Sequence, residues 1–403
     1  MTFDNPYRPA ADDGYVPAPF AGRQQAFTRI YGYLSDVERV QAFALVGRRQ
    51  IGKTAFLWQF DAVFGDTYVG VFVPMEALPL RSEGLWLAAL ARQMMTAIAR
   101  REYTLSRVPE IPNEVERVWF ANEFLPAIYH AIRPHRRLVL LLDNAHLLID
   151  PIARGDLPPD TFDLLAELLQ RDAQLAAVLT LDAEREQDMP AMQPLVGEIH
   201  RLGNLTQDEC TLLLPEGAPA DAVYKATAGQ PALVQRFAYR LLQNPNAKAA
   251  SAAVYASAQN EFRDDWQRLT RNERLILTAV SSLLYADPLR GCEADAISKW
   301  LVETDYPLDI TAINAALRSL EYREILTHDS KGYVPAAGLM QRWLLENARL
   351  ESAAHPPTRR RWWLVALVAA LVFAALLLFI ALSGSTPSSS GSVQPTVTLV
   401  GTP

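Results

Sequence analysis

Residues Gly47-Arg48-Arg49-Gln50-Ile51-Gly52-Lys53-Thr54 follow the pattern G-x-x-x-x-G-K-[ST]. Each fixed position has a physical task in holding phosphate. The glycines let the backbone curl, so that successive N–H groups point inward at phosphate oxygens. Lys53 brings a positive charge to the β- and γ-phosphates. Thr54 offers a hydroxyl to Mg²⁺, and the helix that begins there presents its positive end. Arg48, Arg49, Gln50 and Ile51 belong to the same cradle.

The metal ion needs a carboxylate close to Thr54. The run Leu138-Val139-Leu140-Leu141-Leu142-Asp143 reads as a buried strand that ends in one. Such an Asp can hold Mg²⁺ through water. A rival run, Ala176 to Leu181 followed by Asp182, is read as the next strand, whose Thr180 can sense the γ-phosphate. Many P-loop ATPases place a Glu directly after the strand's Asp, to polarise the attacking water. Here that position is Asn144, and an amide can orient water but cannot accept its proton. Three readings stay open: slow hydrolysis by a switch protein, a carboxylate supplied from elsewhere, such as Glu76, or nucleotide binding without turnover. The missing base favours the first. His146, one turn further on, reads as a packing or polar contact rather than a base.

These residues need a scaffold, and the surrounding pattern describes one. Ala42 to Val46 suits a buried strand, and Thr54 to Phe60 reads as the helix after the loop. Amphipathic stretches near 85–101, 114–132 and 159–171 separate apolar runs near 68–73, 138–142 and 175–181. That alternation predicts an α/β fold, a parallel sheet flanked by helices. After Arg201-Leu202-Gly203-Asn204-Leu205 the pattern turns helical. Thr206 stands as N-cap, with Glu209 completing a capping box. Residues 265–350 look like a winged helix. Arg271 to Leu277 opens its first helix, Ile310 to Leu320 is its third, and Tyr322 to Pro335 is a hairpin turning at Asp329-Ser330-Lys331-Gly332. This stretch holds ten Lys/Arg against twelve Asp/Glu, and its third helix carries only Arg318. Phosphate contacts dominate DNA affinity, so DNA binding is disfavoured against protein contact or packing on the core.

The whole chain of 403 residues has a formal net charge of -7, with half of its residues apolar. That length implies two or three domains, and the acidity argues against a general nucleic-acid binder. Cys210 and Cys292 match no metal spacing and read as incidental buried thiols. The polar, Pro-rich start has no signal-peptide core. Trp362 to Leu382 runs without a charged or strongly polar residue. At helical rise it spans roughly 31 Å, close to the hydrocarbon thickness of a bilayer. Arg359, Arg360 and Arg361 precede it, and no Lys or Arg follows. The positive-inside rule then puts the large N-terminal part in the cytoplasm, leaving a short Ser/Thr/Pro-rich tail outside.

A resemblance becomes specific when four elements are taken in order: Phe20-Ala21-Gly22-Arg23, the Gly47–Thr54 loop, Asp143-Asn144-Ala145-His146 and Thr227-Ala228-Gly229-Gln230-Pro231. Across about residues 5–350 the chain resembles the AAA+/STAND group of P-loop ATPases, similar to bacterial and archaeal origin-recognition ATPases. The resemblance implies ATP as the nucleotide. Gly22 and Arg23, then Gly229 and Pro231 of a helical lid, would border its adenine. It further implies that the winged helix couples nucleotide state to shape. The sequence departs from the family at Asn144 and in lacking a convincing sensor or finger arginine, for which Arg185 is a weak candidate.

The expected organisation is therefore a polar segment (1–18), a P-loop ATPase core (19–203), a helical lid (204–264) and a winged helix (265–350). A basic linker (351–361), a transmembrane helix (362–382) and a disordered extracytoplasmic tail (383–403) follow. The expected function is a membrane-anchored, cytoplasm-facing ATP-binding protein, a slow ATPase acting as a nucleotide-dependent switch or assembly platform. ATP/ADP, Mg²⁺, the membrane, and a protein partner or second copy reached through the lid and winged helix are its expected ligands. The alternatives are a non-hydrolysing, nucleotide-stabilised scaffold and a membrane-tethered DNA binder.

Overall fold

Strands buried on both faces must alternate their side chains between two helical layers. The first four of the sheet's five strands do this. Ala42, Ala44 and Val46 point into one apolar cluster, while Phe43 and Leu45 point into the other. The computed structural model describes residues 20–101, 103, 108–132, 137–286, 292–329 and 332–348. The expected polar segment, basic linker, membrane span and tail lie outside these residues, as do Ser330 and Lys331 of the hairpin turn. Among the described residues, no helix is long and apolar enough to cross a membrane.

The sheet comprises β1 (Ala42–Gly47), β2 (Tyr68–Pro74), β3 (Arg137–Asp143), β4 (Leu175–Asp182) and β5 (Val196–Arg201). Their order is β2-β3-β4-β1-β5, and every pairing is parallel. The connections place β4 between β1 and β3, so Thr180 stands between the phosphate loop and Asp143. The connection after β1 runs toward β2 and that after its neighbour β4 runs toward β5, so a crevice opens between these two strands beyond their carboxyl ends.

Helices cover both faces. On one side α1 (Gln24–Ser35), α2 (Lys53–Trp58) and α3 (Phe60–Phe64) pack on Phe43, Leu45 and Leu141. On the other, α4 (Glu83–Ala99), α5 (Arg117–Trp119), α6 (Leu125–Ala131), α7 (Ile149–Arg154) and α8 (Thr161–Arg171) surround β2, β3 and β4. A π-helical turn, Phe120–Phe124, joins α5 to α6. The single helix expected over Thr54–Phe60 divides at Gln59, where the N–H turns back to the Phe56 carbonyl at 3.1 Å.

Strand β5 has no counterpart in the sequence reading. Its residues VGEIHR alternate between half-buried and exposed because β5 pairs with β1 alone, at the sheet's edge. An edge strand needs no continuous apolar run.

Beyond β5 come α9 (Gln207–Leu213), α10 (Ala220–Thr227), α11 (Pro231–Gln243) and α12 (Ala247–Arg268). Next are α13 (Arg271–Ala286), α14 (Ala294–Glu303), α15 (Ile310–Tyr322), the antiparallel hairpin β6 (Leu326–Asp329) and β7 (Gly332–Pro335), and α16 (Gly338–Asn347). The division expected at 264/265 falls inside α12, which continues to Arg268. The break comes at Leu269–Thr270, where Thr270 and Glu273 exchange backbone-to-side-chain hydrogen bonds at the start of α13. α9–α12 and the elements after them share one continuous apolar cluster, from Leu205 to Leu344. Cys210 and Cys292 are both fully buried in it.

Candidate functional site

The phosphate loop leaves β1 at Gly47 and enters α2 at Lys53. Gln50 and Gly52 both adopt left-handed backbone, at φ 61° and 92°. Two such residues close together curl the chain into a concave nest of amides. Gly52 suits its place because an L side chain rarely accepts that φ. No side chain caps α2, so the amides of its first turn are not satisfied by the protein's own side chains.

Lys53 is almost entirely buried, and its Nζ donates to the Gly47 and Arg48 carbonyls at 2.7 and 2.8 Å. Burial pushes its ammonium below the usual lysine value, against the opposing pull of Asp182 and Asp143. A desolvated ammonium gains more from an anionic ligand than an exposed one does.

Thr54, Asp143, Asn144 and Thr180 form one hydrogen-bonded chain. Thr54 Oγ1 donates to Asp143 Oδ2 at 2.8 Å, and Thr180 Oγ1 donates to Asp143 Oδ1 at 2.5 Å. The Asn144 N–H donates to Thr180 Oγ1 at 2.8 Å. Thr180 is fully enclosed and does not face the cavity, so its hydroxyl serves to orient Asp143. Thr54 and Asp143 put a hydroxyl and a carboxylate oxygen side by side, and hard oxygen donors of this kind suit Mg²⁺. If Mg²⁺ binds there, these two residues would hold it, and its charge would neutralise the β- and γ-phosphate oxygens.

Asn144 sits in left-handed backbone at φ 58°, which Asn tolerates better than most residues. Its Nδ2 donates to Glu76 Oε1 at 3.0 Å. His146 Nδ1 accepts from the Asp182 N–H at 3.4 Å, and burial holds its imidazole below the usual value.

A cavity of 710 Å³ opens over this loop, within the range of ligand sites. Of the residues singled out from sequence, Arg23, Arg49, Gln50, Ile51, Gly52, Lys53, Thr54, Asn144 and Pro231 line it. Gly22, Gly47, Arg48, Asp143, Thr180 and Gly229 stand behind this lining. The Arg48 guanidinium points away from the loop, donating to the Arg323 carbonyl after α15.

The far end of the cavity is built from segments distant in the chain, Phe20–Arg23 and residues of α9 and α11. Phe20 packs edge-on against Phe27 and Phe56, and Phe27 stacks on Phe56 at 4.1 Å. The Arg23 N–H donates to Glu209 Oε1 at 2.7 Å, and its guanidinium donates to the Ile51 carbonyl at 3.0 Å. Burial lowers the Arg23 pKa, opposed by Glu209 and Glu324. Glu209 also closes the capping box read from sequence, accepting from the Thr206 N–H at 2.9 Å. One carboxylate thus ties the N-terminal box to α9.

Gly229, at φ 71°, lies so close to Leu205 that an added Cβ would meet its carbonyl oxygen at 2.1 Å. The Leu205 N–H donates to the Gly229 carbonyl at 2.9 Å. This contact sets Pro231, the first residue of α11, at the cavity wall.

Several lining residues were not singled out, among them Trp58, Leu213, Gln235 and Arg268. They come from elements whose meeting depends on tertiary packing, and no local motif marks them. Arg185 lines the cavity but is bound to Asp150 and Asp188, which raise its pKa. Arg268 is likewise paired with Glu184 at 3.1 Å.

No protein-family model matches the chain, and no curated protein matches it by sequence. Solved structures do. A Walker-type ATPase of Pyrococcus abyssi, PABY2304, is similar at TM-score 0.54 and 15% identity, over 81% of this chain and 96% of that one. Cdc6p from Pyrobaculum aerophilum aligns at TM-score 0.39 and 16% identity, over 84% and 97%. The Aeropyrum pernix Orc1 protein, in complex with DNA, aligns at TM-score 0.39 and 14% identity, over 83% and 95%. The likeness to the Pyrococcus protein is one of fold. The parallel five-stranded sheet with its flanking helices has the fold of a P-loop NTPase α/β core.

Proposed function

We propose that this chain is a membrane-anchored ATPase that works as a nucleotide-controlled switch on the cytoplasmic side. The observation that carries the reading is the joining of Lys53, Thr54 and Asp143 at the floor of one large cavity. The phosphates would lie on the amides of Gln50 to Thr54, with Lys53 turning from its loop carbonyls toward them. The adenine would lie at the far end, bordered by Phe20, Arg23 and Pro231.

Nucleotide would then bridge the sheet core and α9–α12. Closure of these helices over it would move the elements from α13 onward, read as a winged helix, because both share one apolar cluster. The acidic balance of residues 265–350 favours a protein partner or a second copy over DNA. Membrane anchoring is supported by the unbroken apolar run from Trp362 to Leu382, and the orientation by the three arginines before it.

The test is ATP binding and turnover by the full-length chain in detergent, beside Lys53→Ala. Binding and Mg²⁺-dependent turnover, both lost in the variant, are expected. A folded wild-type protein that binds no nucleotide would sink the reading.

A further inference from the structure

Whatever hydrolyses a phosphoanhydride in this cavity must take a proton from water, and the position after Asp143 cannot do so. We propose that Glu76 is the carboxylate that accepts this proton, with Asn144 as the residue that positions it. The inference rests on the ATPase reading above and names the group that performs its chemical step.

Glu76 reaches the site through sheet register. Pro74 of β2 lies opposite Asp143 of β3, and the 3-10 turn Met75–Ala77 follows directly. Glu76 therefore arrives beside Asn144, and both face the cavity. The amide is itself fixed, because its backbone is left-handed and its N–H is held by Thr180. Its Nδ2 donates to Glu76 Oε1 at 3.0 Å. Among the described residues Oε2 has no partner, which leaves that oxygen to meet a water.

The other acidic residues on the cavity wall are held differently. Glu184 is paired with Arg268, and Asp182 Oδ1 accepts the Glu184 N–H at 3.2 Å. His146 receives the Asp182 N–H, and burial has weakened it as a base. Glu76 alone of these is held by a side chain that adjoins Asp143.

The step balances with ATP and water as the only reactants. The water oxygen bonds to the γ-phosphorus while the bond from that phosphorus to the bridging oxygen breaks, its electron pair leaving on ADP. One water proton passes to Glu76 and is then released to solvent. The other stays on the phosphate product. A carboxylate and an amide share this work, their places exchanged relative to a Glu that directly follows the strand's Asp.

The test uses the full-length chain in detergent with Mg²⁺ and ATP, measuring both ATP affinity and turnover. Glu76→Gln keeps the size of the side chain and removes its basicity. Turnover should fall about 100-fold or more. ATP affinity should stay within about threefold, and the nucleotide retained on the protein should be ATP rather than ADP. The exchange variant, Glu76→Asn with Asn144→Glu, restores a carboxylate beside an amide and should recover much of the loss. Wild-type turnover by Glu76→Gln would overturn the proposal. So would a wild-type protein that binds ATP without hydrolysing it, an outcome that leaves the nucleotide site standing. Absent ATP binding by the folded wild type would instead remove the ATPase reading, and this inference with it.

Discussion

Replacing Gly229 by Ala tests how the wall of the cavity is positioned, because two penalties act there and can be separated. An L residue at φ 71° pays about 1–2 kcal/mol for left-handed backbone. The new Cβ would also lie 2.1 Å from the Leu205 carbonyl oxygen, well inside the 3.0 Å that real Cβ contacts respect. A backbone atom cannot swing aside as a flexible side chain does, so the chain at 205 or 229 must shift, at a cost of about 1–3 kcal/mol. Together these give a loss of about 2–5 kcal/mol. At about 2–4 °C per kcal/mol for a large domain, Tm should fall by roughly 4–20 °C. Gly217→Ala is the control. It has the same left-handed backbone, at φ 76°, but nothing within 4 Å of an added Cβ. It should pay the backbone penalty alone. Thermal unfolding followed by circular dichroism compares the two, and the added stabilisation by ATP shows whether Pro231 has moved from the wall. Equal melting of the two variants would refute the assignment of Gly229 to close approach.

His146 gives a pH dependence. Its depressed folded pKa means that the unfolded chain takes up a proton first as pH falls below about 6.5. Stability is therefore complete above that pH and declines as pH drops toward the folded value. In His146→Gln the slope of Tm between about pH 5 and 6.5 should be shallower, and an unchanged slope would rule the residue out as the source. Arg48→Ala should separate stability from binding. Losing the charged donor to the Arg323 carbonyl should cost about 1.5–3 kcal/mol in thermal unfolding. ATP affinity by calorimetry should survive, since the backbone cradle is intact, and a loss as complete as that of Lys53→Ala would contradict this.

Much of the core was legible because its signals are local. The run before Gly47 and the run ending at Asp143 are buried on both faces, and each became a central strand. Thr206 and Glu209 satisfy each other within one helical turn, so their capping box could be read from spacing alone. What stayed hidden depends on distant partners. The bond from Arg23 to Glu209 crosses 186 positions of chain, and no window of sequence contains both. Arg48 matched the loop pattern as well as its neighbours did, yet its side chain answers to a carbonyl 275 positions away. Thr180 was expected to sense phosphate because it lies near the carboxyl end of a strand. Its neighbours in β1 and β3 enclose it instead, and its hydroxyl is used on Asp143. The edge strand β5 lacked the apolar run by which the other strands announced themselves.

The contacts between the sheet core and the last third of the chain carry a consequence of their own. Arg48 of the phosphate loop holds the Arg323 carbonyl, Glu324 accepts the Asn204 N–H, and Tyr322 donates to Glu186 beneath the Arg201 guanidinium. Glu184, two residues before Glu186, lines the cavity and grips Arg268 at the end of α12. If occupying the cavity alters these bonds, thermodynamic reciprocity makes the effect symmetrical. A ligand that pulls residues 322–324 away from the core would then change affinity for nucleotide by the same factor that nucleotide changes affinity for it. Measured from either end, the coupling would be a single free energy, and tension on one end would register as a shift in Kd at the other.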